Sequence, residues 1–319
     1  MKRRTFLQTT ALALPAAALP SQMLMTEMLK KKSKLGIQLF SIPQMVAKDM
    51  PGTLKLLAET GYREIEFFGP FDFSAPETIE GWKPLAQMLG IQSNAFYGKS
   101  ISEVKKILQD LDLSTPSIHL DLITLQKNMD GLLKAIEPLG VKYVVIPALQ
   151  PEQRPNLDAY KRLIEAFNGF GKQLSKIGAS FGYHNHGFEH APMDGVIPMD
   201  LLLQETDPAH VKFELDIFWM TAAGGDPKTY LQKHPGRYKM LHIKDAAEPI
   251  RFSGDGGTSD QWMALFNKMA DPGKGVLDIK GILKAAHKSG VEHFYLERDL
   301  APDPMTTLKD SAAFLRKKV

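Results

Sequence analysis

Near its middle the chain reads Phe181-Gly182-Tyr183-His184-Asn185-His186-Gly187-Phe188-Glu189, which places two imidazoles and a carboxylate directly after an apolar, strand-like segment. Side chains two residues apart in a strand point to the same face, so His184 and His186 would face one side of a sheet. Neutral imidazole and carboxylate groups bind Zn²⁺, Mn²⁺ and Fe²⁺. The stretch therefore predicts part of a metal site at the end of a strand. The alternative is an exposed polar loop with two incidental histidines.

On either side of this stretch, short apolar segments alternate with segments of helical periodicity, which is the pattern of a parallel sheet with helical crossovers. Eight such units follow one another without a linker or a change in composition. This favours a single closed (β/α)8 TIM barrel of the α/β class, spanning residues 35–319, over an open doubly wound sheet. The predicted strands are Leu35–Ser41, Arg63–Gly69, Pro116–Leu122, Tyr143–Leu149, Ser180–His186, Val211–Phe218, Tyr238–Asp245 and His293–Asp299.

Two segments are longer than the repeat requires, namely Pro70–Ser100 after the second strand and Ala246–Val276 after the seventh. Both leave the C-terminal ends of strands, where the catalytic residues of a TIM barrel gather. We expect the two segments to overhang that face and to shape a pocket there. The glycines between Ser253 and Gly257 do not follow a phosphate-loop spacing, so this part is predicted to be a mobile loop rather than a nucleotide site.

The composition excludes several classes of protein and of metal site. With 319 residues, of which 44% are hydrophobic, the chain can bury a sizeable core. It contains no cysteine, so disulfides and thiolate ligands are excluded and a metal ion would be held by nitrogen and oxygen. Residues 1–18 carry three of the 39 basic residues and none of the 36 acidic ones, which leaves the rest of the chain near neutral. Neutrality disfavours a nucleic acid or an anionic membrane as partner.

Residues 1–30 are predicted to be an export signal with its lead-in. A charged start, Lys2-Arg3-Arg4-Thr5-Phe6-Leu7, precedes a short apolar run from Ala11 to Leu19, with Ala16-Ala17-Ala18 as a candidate cleavage site. The paired arginines are typical of a twin-arginine signal, so we expect a periplasmic protein. The apolar run is too short and too interrupted by proline to be a membrane span.

Four candidate metal ligands follow the apolar runs of consecutive strands. They are His184 on the fifth strand, Asp216 on the sixth, His242 on the seventh and Glu297 on the eighth. Because the C-terminal ends of adjacent barrel strands converge on one rim, these distant residues can meet. Two imidazoles and two carboxylates suit one divalent ion, either Mn²⁺, Mg²⁺, Fe²⁺ or Zn²⁺, with positions left open for a substrate oxygen. Taken singly, each carboxylate could instead cap a helix, and His242 could be a core histidine.

From about Leu35 to Leu315 the sequence resembles the xylose isomerase-like TIM barrels that include sugar phosphate isomerases and epimerases, and especially their secreted branch. The matching stretches are Leu35–Ser41, Gly61–Phe67, Phe181–Glu189, Glu214–Asp216, Leu241–Asp245 and Leu296–Glu297, of which the Tyr183-His184-Asn185-His186 stretch is the most specific. Ketose epimerases of this group hold their metal by Glu, Asp, His and Glu on strands five to eight. The resemblance thus implies ligand roles for Asp216, His242 and Glu297, with His184 in the place of the first Glu.

Two departures from that pattern bear on the reaction. The two ligand glutamates of the epimerases are also their acid/base pair, and His184 replaces one of them here, which disfavours a symmetrical two-glutamate epimerisation. Elimination or hydration, as in the similar inosose dehydratases, becomes the rival. Trp219 stands where epimerases and apurinic endonucleases have a His three residues after the Asp. Losing that ligand disfavours a multi-metal nuclease.

The predicted chemistry is removal of a proton next to the carbonyl of a carbohydrate. A divalent ion can stabilise the charge that develops on the oxygens, while a carboxylate or imidazole takes and returns the proton. The candidates for proton transfer are Glu297, His186, His119 and Lys244. For His119 and Lys244 a hydrogen-bonding role at the rim is an equal alternative. The candidate substrate contacts are Glu66, Trp219 and Arg298.

Three functional hypotheses remain after this reasoning. The first is a metal-dependent sugar isomerase or epimerase. The second is a keto-sugar lyase, dehydratase or hydratase on the same scaffold, including a 3-keto-glycoside lyase, because an exported enzyme meets glycosides rather than sugar phosphates and no phosphate-binding pattern is present. The third, from another class, is a sugar-binding barrel without catalysis.

The signal generates the first testable prediction. Replacing Arg3 and Arg4 together with lysine should leave the precursor in the cytoplasm, because the twin-arginine route recognises the arginine pair. Cell fractionation and detection of the protein in each fraction measure this. Normal export of the double variant by that route would show the assignment to be wrong.

Overall fold

The computed structural model describes residues 34–319. The predicted signal of residues 1–30, with Arg3 and Arg4, lies outside the described residues. Eight parallel strands, numbered in chain order, pair each with the next, and the last pairs with the first to close a barrel. The predicted TIM barrel is therefore confirmed. The strands are β1 Leu35–Gln38, β2 Glu64–Phe68, β3 Ser117–His119, β4 Tyr143–Ile146, β5 Ser180–His184, β6 Val211–Asp216, β7 Tyr238–Ile243 and β8 His293–Leu296.

Helices surround the barrel and cover its outer surface. The α-helices are α1 Pro43–Lys48, α2 Met50–Thr60, α3 Pro76–Leu89, α4 Ile101–Asp110, α5 Leu122–Lys127, α6 Met129–Ile136, α7 Leu157–Leu174, α8 Pro198–Glu205, α9 Ile217–Ala223, α10 Pro227–Lys233, α11 Ser259–Phe266, α12 Ile279–Ser289 and α13 Pro304–Leu315. Short 3-10 turns lie at Leu39–Ser41, Glu137–Leu139, Pro151–Gln153, Ser175–Ile177 and Phe188–His190. Within residues 34–319, none of the helices has the length and apolar character needed to cross a bilayer.

The side chains of each strand alternate between the helical shell and the barrel interior. On β6, Phe213 and Leu215 belong to the large apolar cluster that joins strands to helices, while Glu214 and Asp216 belong to the polar interior. The apolar part of the interior is a small separate cluster of Tyr143, Val145, Met240 and Tyr295. The main core therefore lies between the sheet and the helices, and the interior is left for polar groups.

The predicted strands are correct in number and order, but several extend too far at their C-terminal ends. Strand β1 stops at Gln38, whose side chain accepts a hydrogen bond from the amide of Phe40 and starts a 3-10 turn. Strand β6 stops at Asp216, whose carboxylate accepts hydrogen bonds from the amides of Phe218 and Trp219 and so begins α9. Apolar residues continue past both ends, so hydrophobicity alone does not mark where a strand stops.

Both long segments follow strand C-terminal ends, as the sequence predicts. The one after β2 contains α3 and a cluster of phenylalanines in which Phe71 stacks on Phe73 and touches Phe96. The one after β7 contains α11 and a short antiparallel pair, Asp245–Ala246 with Met269–Ala270, which the sequence did not predict.

Asp245 holds the second long segment in place. Its buried carboxylate accepts hydrogen bonds from the amides of Ala246, Gly273, Gly275 and Leu277, at 2.8 to 3.1 Å. The last three of these donors lie in the chain that returns to the barrel, so one side chain closes the segment onto the end of β7.

Replacing Asp245 with asparagine should therefore destabilise the protein, because the amide NH2 would face backbone N–H donors that need an acceptor. We expect a loss of about 3 kcal/mol in the free energy of unfolding, measured by urea denaturation. Asp303→Asn, at the exposed start of α13, is the matched control and should change the free energy by less than about 0.5 kcal/mol, since Asn caps helices as well as Asp does. Equal losses in the two variants would contradict this role of Asp245.

Candidate metal centre and active site

The structure brings the four predicted ligands together at the C-terminal end of the barrel. His184 ends β5, Asp216 ends β6, His242 lies on β7, and Glu297 directly follows β8. All four are buried, and each offers a nitrogen or oxygen atom within 4.8 Å of those of the other three. The pairing of Asp216 with His242 across β6 and β7 sets part of this proximity through the backbone register.

Each of the two ligand imidazoles lies between carboxylates. Nδ1 of His184 is 2.9 Å from Glu214 Oε2, while its Nε2 is 3.7 Å from Asp216 Oδ2. Nδ1 of His242 is 2.5 Å from Glu297 Oε2, while its Nε2 is 2.7 Å from Glu66 Oε2. One nitrogen of each ring thus faces the predicted ligand carboxylates, and the other faces a second pair of acids.

That second pair, Glu66 and Glu214, is fully buried and lies deeper in the barrel. Glu214 precedes Asp216 by two residues on β6, and Glu66 lies on β2. His119 joins them, because its Nε2 is 2.7 Å from Glu214 Oε2 and 3.1 Å from Glu66 Oε2. Gln38 and Ser117 donate further hydrogen bonds to Glu66. His119, a candidate for proton transfer, is thus part of this deeper layer.

Attraction between opposite charges keeps Glu66, Glu214 and His119 ionised in spite of their burial. Burial and the neighbouring Glu66 raise the pKa of Glu214, but His242 and His119 outweigh them and lower this pKa to about 2. Burial lowers the pKa of His119, yet Glu66 and Glu214 outweigh it and raise that pKa to about 9. His184 is different, because burial dominates and holds its pKa well below the usual range. In the protein without metal, His184 is therefore neutral.

The residues present fit a divalent metal ion. The donor set is made only of imidazole nitrogens and carboxylate oxygens, which suits hard and borderline cations. Within residues 34–319, Asp216 Oδ2 and Glu214 Oε1 are buried carboxylate oxygens without a hydrogen bond of good geometry. Each of these oxygens already faces a basic group, Lys244 Nζ at 3.0 Å from Asp216 and His242 Nε2 at 3.2 Å from Glu214, so the fit to a metal ion rests on the chemistry of the donor set. A second set, His119, His184, Glu214 and His242, overlaps the first and is equally close together.

Lys244 places an ammonium group beside the predicted ligands. Its Nζ lies 3.0 Å from Asp216, 2.9 Å from Glu297 and 2.7 Å from Asp299, and the side chain is buried. Burial lowers the pKa of Lys244, but the three carboxylates outweigh it and raise that pKa above its usual range. Asp299, which the sequence analysis did not single out, has its pKa raised to about 7, mainly by burial. Lys244 is thus held as a cation rather than as a free base.

His186 lies just beyond β5, and its ring approaches that of His184 at 4.9 Å between centroids. Its Nδ1 is 2.6 Å from the carbonyl oxygen of Pro147, so Nδ1 carries the hydrogen and Nε2 keeps its lone pair. Burial, reinforced by Lys244, lowers the pKa of His186 to about 3. His186 is accordingly a neutral imidazole in one defined tautomer.

Aromatic side chains surround His186. Trp219 stacks on it at 5.8 Å, and Trp262 from α11 packs against it at 4.7 Å. The indole of Trp262 is oriented by a 2.7 Å hydrogen bond from Nε1 to the carbonyl of Gly256. Phe252 also stacks on Trp219, with ring centroids 5.8 Å apart. The long segment after β7 thus forms a wall of the site.

The three predicted substrate contacts occupy different environments. Glu66 is fully buried, with Oε2 2.7 Å from Nε2 of His242, and Trp219 is buried and stacks on both His186 and Phe252. Nη1 of Arg298 donates to Asp271 at 2.6 Å and to Thr307 at 3.3 Å, so its side chain is engaged outside the ligand cluster.

Sequence reasoning missed Glu214, Asp299 and Trp262. A signal for Glu214 was present, since it precedes Asp216 by two residues on an alternating strand and therefore shares its face. Asp299 is likewise two residues after Glu297. For Trp262, which reaches the site from α11, the local sequence offers no comparable signal.

Known proteins resemble this chain in sequence and in fold. An inosose dehydratase from Geobacillus thermodenitrificans is 22% identical over 237 residues, which cover 66% of this chain and 78% of the relative. The chain spans about half the length of other inosose dehydratases that it matches. A crystal structure of a sugar phosphate isomerase/epimerase from Parabacteroides distasonis has 26% identity and a TM-score of 0.68, covering 89% of this chain and 93% of that one.

A third similar protein is IOLI, whose crystal structure contains a bound zinc atom. It shares the fold at 16% identity and a TM-score of 0.63, covering 89% of this chain and 96% of that one. The sequence pattern of the xylose isomerase-like TIM barrels matches residues 54–318. Because this match covers most of the chain, the protein belongs to the xylose isomerase-like TIM barrel family.

Proposed function

We propose that this protein is a divalent-metal-dependent enzyme that removes a proton next to the carbonyl group of a carbohydrate. The observation that carries the proposal is the cluster of His184, Asp216, His242 and Glu297, all buried and with ligand atoms within 4.8 Å of one another. Bound there, a divalent ion would act as a Lewis acid toward a carbonyl or hydroxyl oxygen of the sugar. The similarity in sequence and fold to sugar isomerases, epimerases and dehydratases supports a carbohydrate substrate.

The proposed base and the proposed acid of this reaction are side chains of different types. His186 offers a neutral imidazole whose Nε2 lone pair can accept the C–H proton, because Nδ1 is committed to Pro147. Lys244 offers an ammonium group, held by Asp216, Glu297 and Asp299, that can give a proton to a departing oxygen. One base and one acid of unlike type suit elimination better than a symmetrical exchange between two carboxylates.

The proposed elimination then runs in two steps. His186 takes the proton next to the carbonyl, and the electron pair of the C–H bond moves toward the carbonyl oxygen. That pair then forms the carbon–carbon double bond and expels the oxygen on the next carbon, which takes a proton from Lys244. Water or an alcohol leaves, and no oxidant or reductant is required. The dehydratase name of the Geobacillus relative agrees with this direction. Isomerisation or epimerisation, in which the proton returns to the sugar, is the second candidate.

We propose further that the enzyme works in the periplasm, which the arginine pair Arg3 and Arg4 supports. A periplasmic enzyme meets glycosides rather than sugar phosphates, so a 3-keto-glycoside is the proposed substrate class. We also propose a double role for Glu297, as ligand and as proton acceptor, because its carboxylate belongs to the same cluster.

The test of function is to incubate the purified protein and Mn²⁺ with 3-keto-glucosides and with ketohexoses in D2O, and to follow the products by NMR. Release of the aglycone or of water supports elimination. Deuterium incorporation without cleavage supports epimerisation. Ligand-induced stabilisation without turnover of either class of sugar, with or without metal, would leave a binding protein and overturn the enzymatic proposal.

The ligand assignment makes a separate prediction about metal content. Alanine substitution of His184, Asp216, His242 or Glu297 should each abolish tight binding of a divalent ion, because the remaining three donors compete poorly with water. His186→Ala should keep the metal and lose about 100-fold or more in turnover. Elemental analysis of the purified variants measures the metal.

His287→Ala, an exposed histidine on α12, is the matched control and should behave as the wild type. If His186 rather than His184 proves necessary for metal, the assignment on the fifth strand is wrong by two residues. If none of the variants loses metal, the proposed centre is wrong.

A further inference from the structure

Glu66 and Glu214 have no role in the proposed reaction, yet both are fully buried in the barrel interior. An ionised carboxylate costs several kcal/mol to bury unless it is paired, so their presence calls for a physical explanation. Their oxygens face three ring nitrogens, namely those of His119, His184 and His242. Two of these rings are proposed metal ligands.

The distances assign the hydrogen of each ligand ring. Nδ1 of His184 lies 2.9 Å from Glu214, and Nε2 of His242 lies 2.7 Å from Glu66 and 3.2 Å from Glu214. A carboxylate can only accept a hydrogen bond, so each of these nitrogens carries the hydrogen. The other nitrogen of His184, Nε2, lies 3.7 Å from Asp216 Oδ2, beyond hydrogen-bond distance, and keeps its lone pair. The other nitrogen of His242, Nδ1, also faces a carboxylate, that of Glu297, so this ring carries a hydrogen on both nitrogens in the protein without metal, and a metal ion bound beside Glu297 would displace the one on Nδ1.

Those two nitrogens face the proposed ligand carboxylates. Nε2 of His184 is directed at Asp216, 3.7 Å away, and Nδ1 of His242 at Glu297, 2.5 Å away. Imidazoles that bind metal commonly donate their second N–H to a carboxylate, which fixes the tautomer and the orientation of the ring. Glu66 and Glu214 are placed to accept this second hydrogen bond from His242 and His184.

We propose that Glu66 and Glu214 are positioning residues that make Nε2 of His184 and Nδ1 of His242 the metal-binding atoms. His119 lies within hydrogen-bond distance of both Glu66 and Glu214 and balances part of their charge. The inference rests on the proposed function, since it concerns the same metal centre. It also chooses between the two overlapping ligand sets, because it places Glu214 beside the metal-binding rings rather than on the metal.

The test is NMR of the full chain with ¹⁵N-labelled histidine, without metal and with Zn²⁺. In the protein without metal, His184 should be protonated at Nδ1 and not at Nε2. With Zn²⁺, the metal-induced shifts should fall on Nε2 of His184 and Nδ1 of His242. The opposite nitrogens in either ring would overturn the proposal. The nitrogen of His184 that carries the hydrogen can be identified even if no metal binds. Failure of the proposed function can therefore be distinguished from failure of this inference.

Variants supply an independent measurement. Glu66→Gln and Glu214→Gln should each weaken Zn²⁺ binding about ten- to hundredfold, short of the complete loss expected for a direct ligand. Glu64→Gln is the matched control: this buried acid on the same strand as Glu66 also pairs with an imidazole, Nδ1 of His293 at 2.9 Å, away from the centre. It should leave Zn²⁺ affinity unchanged.

Complete loss of Zn²⁺ from both Glu214→Gln and His119→Ala would overturn the proposal in favour of a site made of His119, His184, Glu214 and His242. Unchanged affinity in both glutamine variants, with wild-type ring states, would overturn it as well. Should a glutamine variant fail to fold, the wild-type NMR spectra still decide the question, because they require no substitution.

Discussion

The pairing of buried charges inside the barrel is the constraint on which the site depends. Four carboxylates, those of Glu66, Glu214, Asp216 and Glu297, have little or no exposure to solvent. Left unpaired, each would cost several kcal/mol or would be protonated. The imidazoles of His119 and His242 and the ammonium of Lys244 supply the opposite charge at distances near 3 Å.

This polar interior is compatible with a stable barrel because the apolar packing lies elsewhere. The large core joins the outward faces of the strands to the helices, and only a small apolar cluster fills the interior itself. Two glycines make room for that cluster. A side chain at Gly36 would collide with Tyr295, and one at Gly182 with Val145. Most inward-facing positions near the C-terminal ends of the strands are therefore available for the site, which is the usual place of the active site in a TIM barrel.

Much of the fold could be predicted because the sequence repeats one simple pattern eight times. The proximity of the four proposed ligands could be predicted as well, since each follows an apolar run, and the convergence of strand ends brings His184 and Glu297 together. The residues at which the strands end could not be predicted from the apolar runs. Asp216, for example, ends β6 by capping α9, whose residues are also apolar. Glu214 lies inside β6 rather than at its end, and only the alternation of side chains along the strand places it on the same face as Asp216.

The environment of His186 shows why part of the site lies beyond sequence reasoning. Its tautomer is set by the carbonyl of Pro147 after β4, and its ring is packed by Trp219 of α9 and by Trp262 of α11. These segments are far apart in the chain, and no local pattern links them. This environment of His186, the proposed base, needs the closed barrel to hold Pro147 and Trp219, and the long segment after β7 to supply Trp262. Asp245, which fastens that segment to the end of β7, therefore connects the stability of an external loop to the geometry of the proposed proton acceptor.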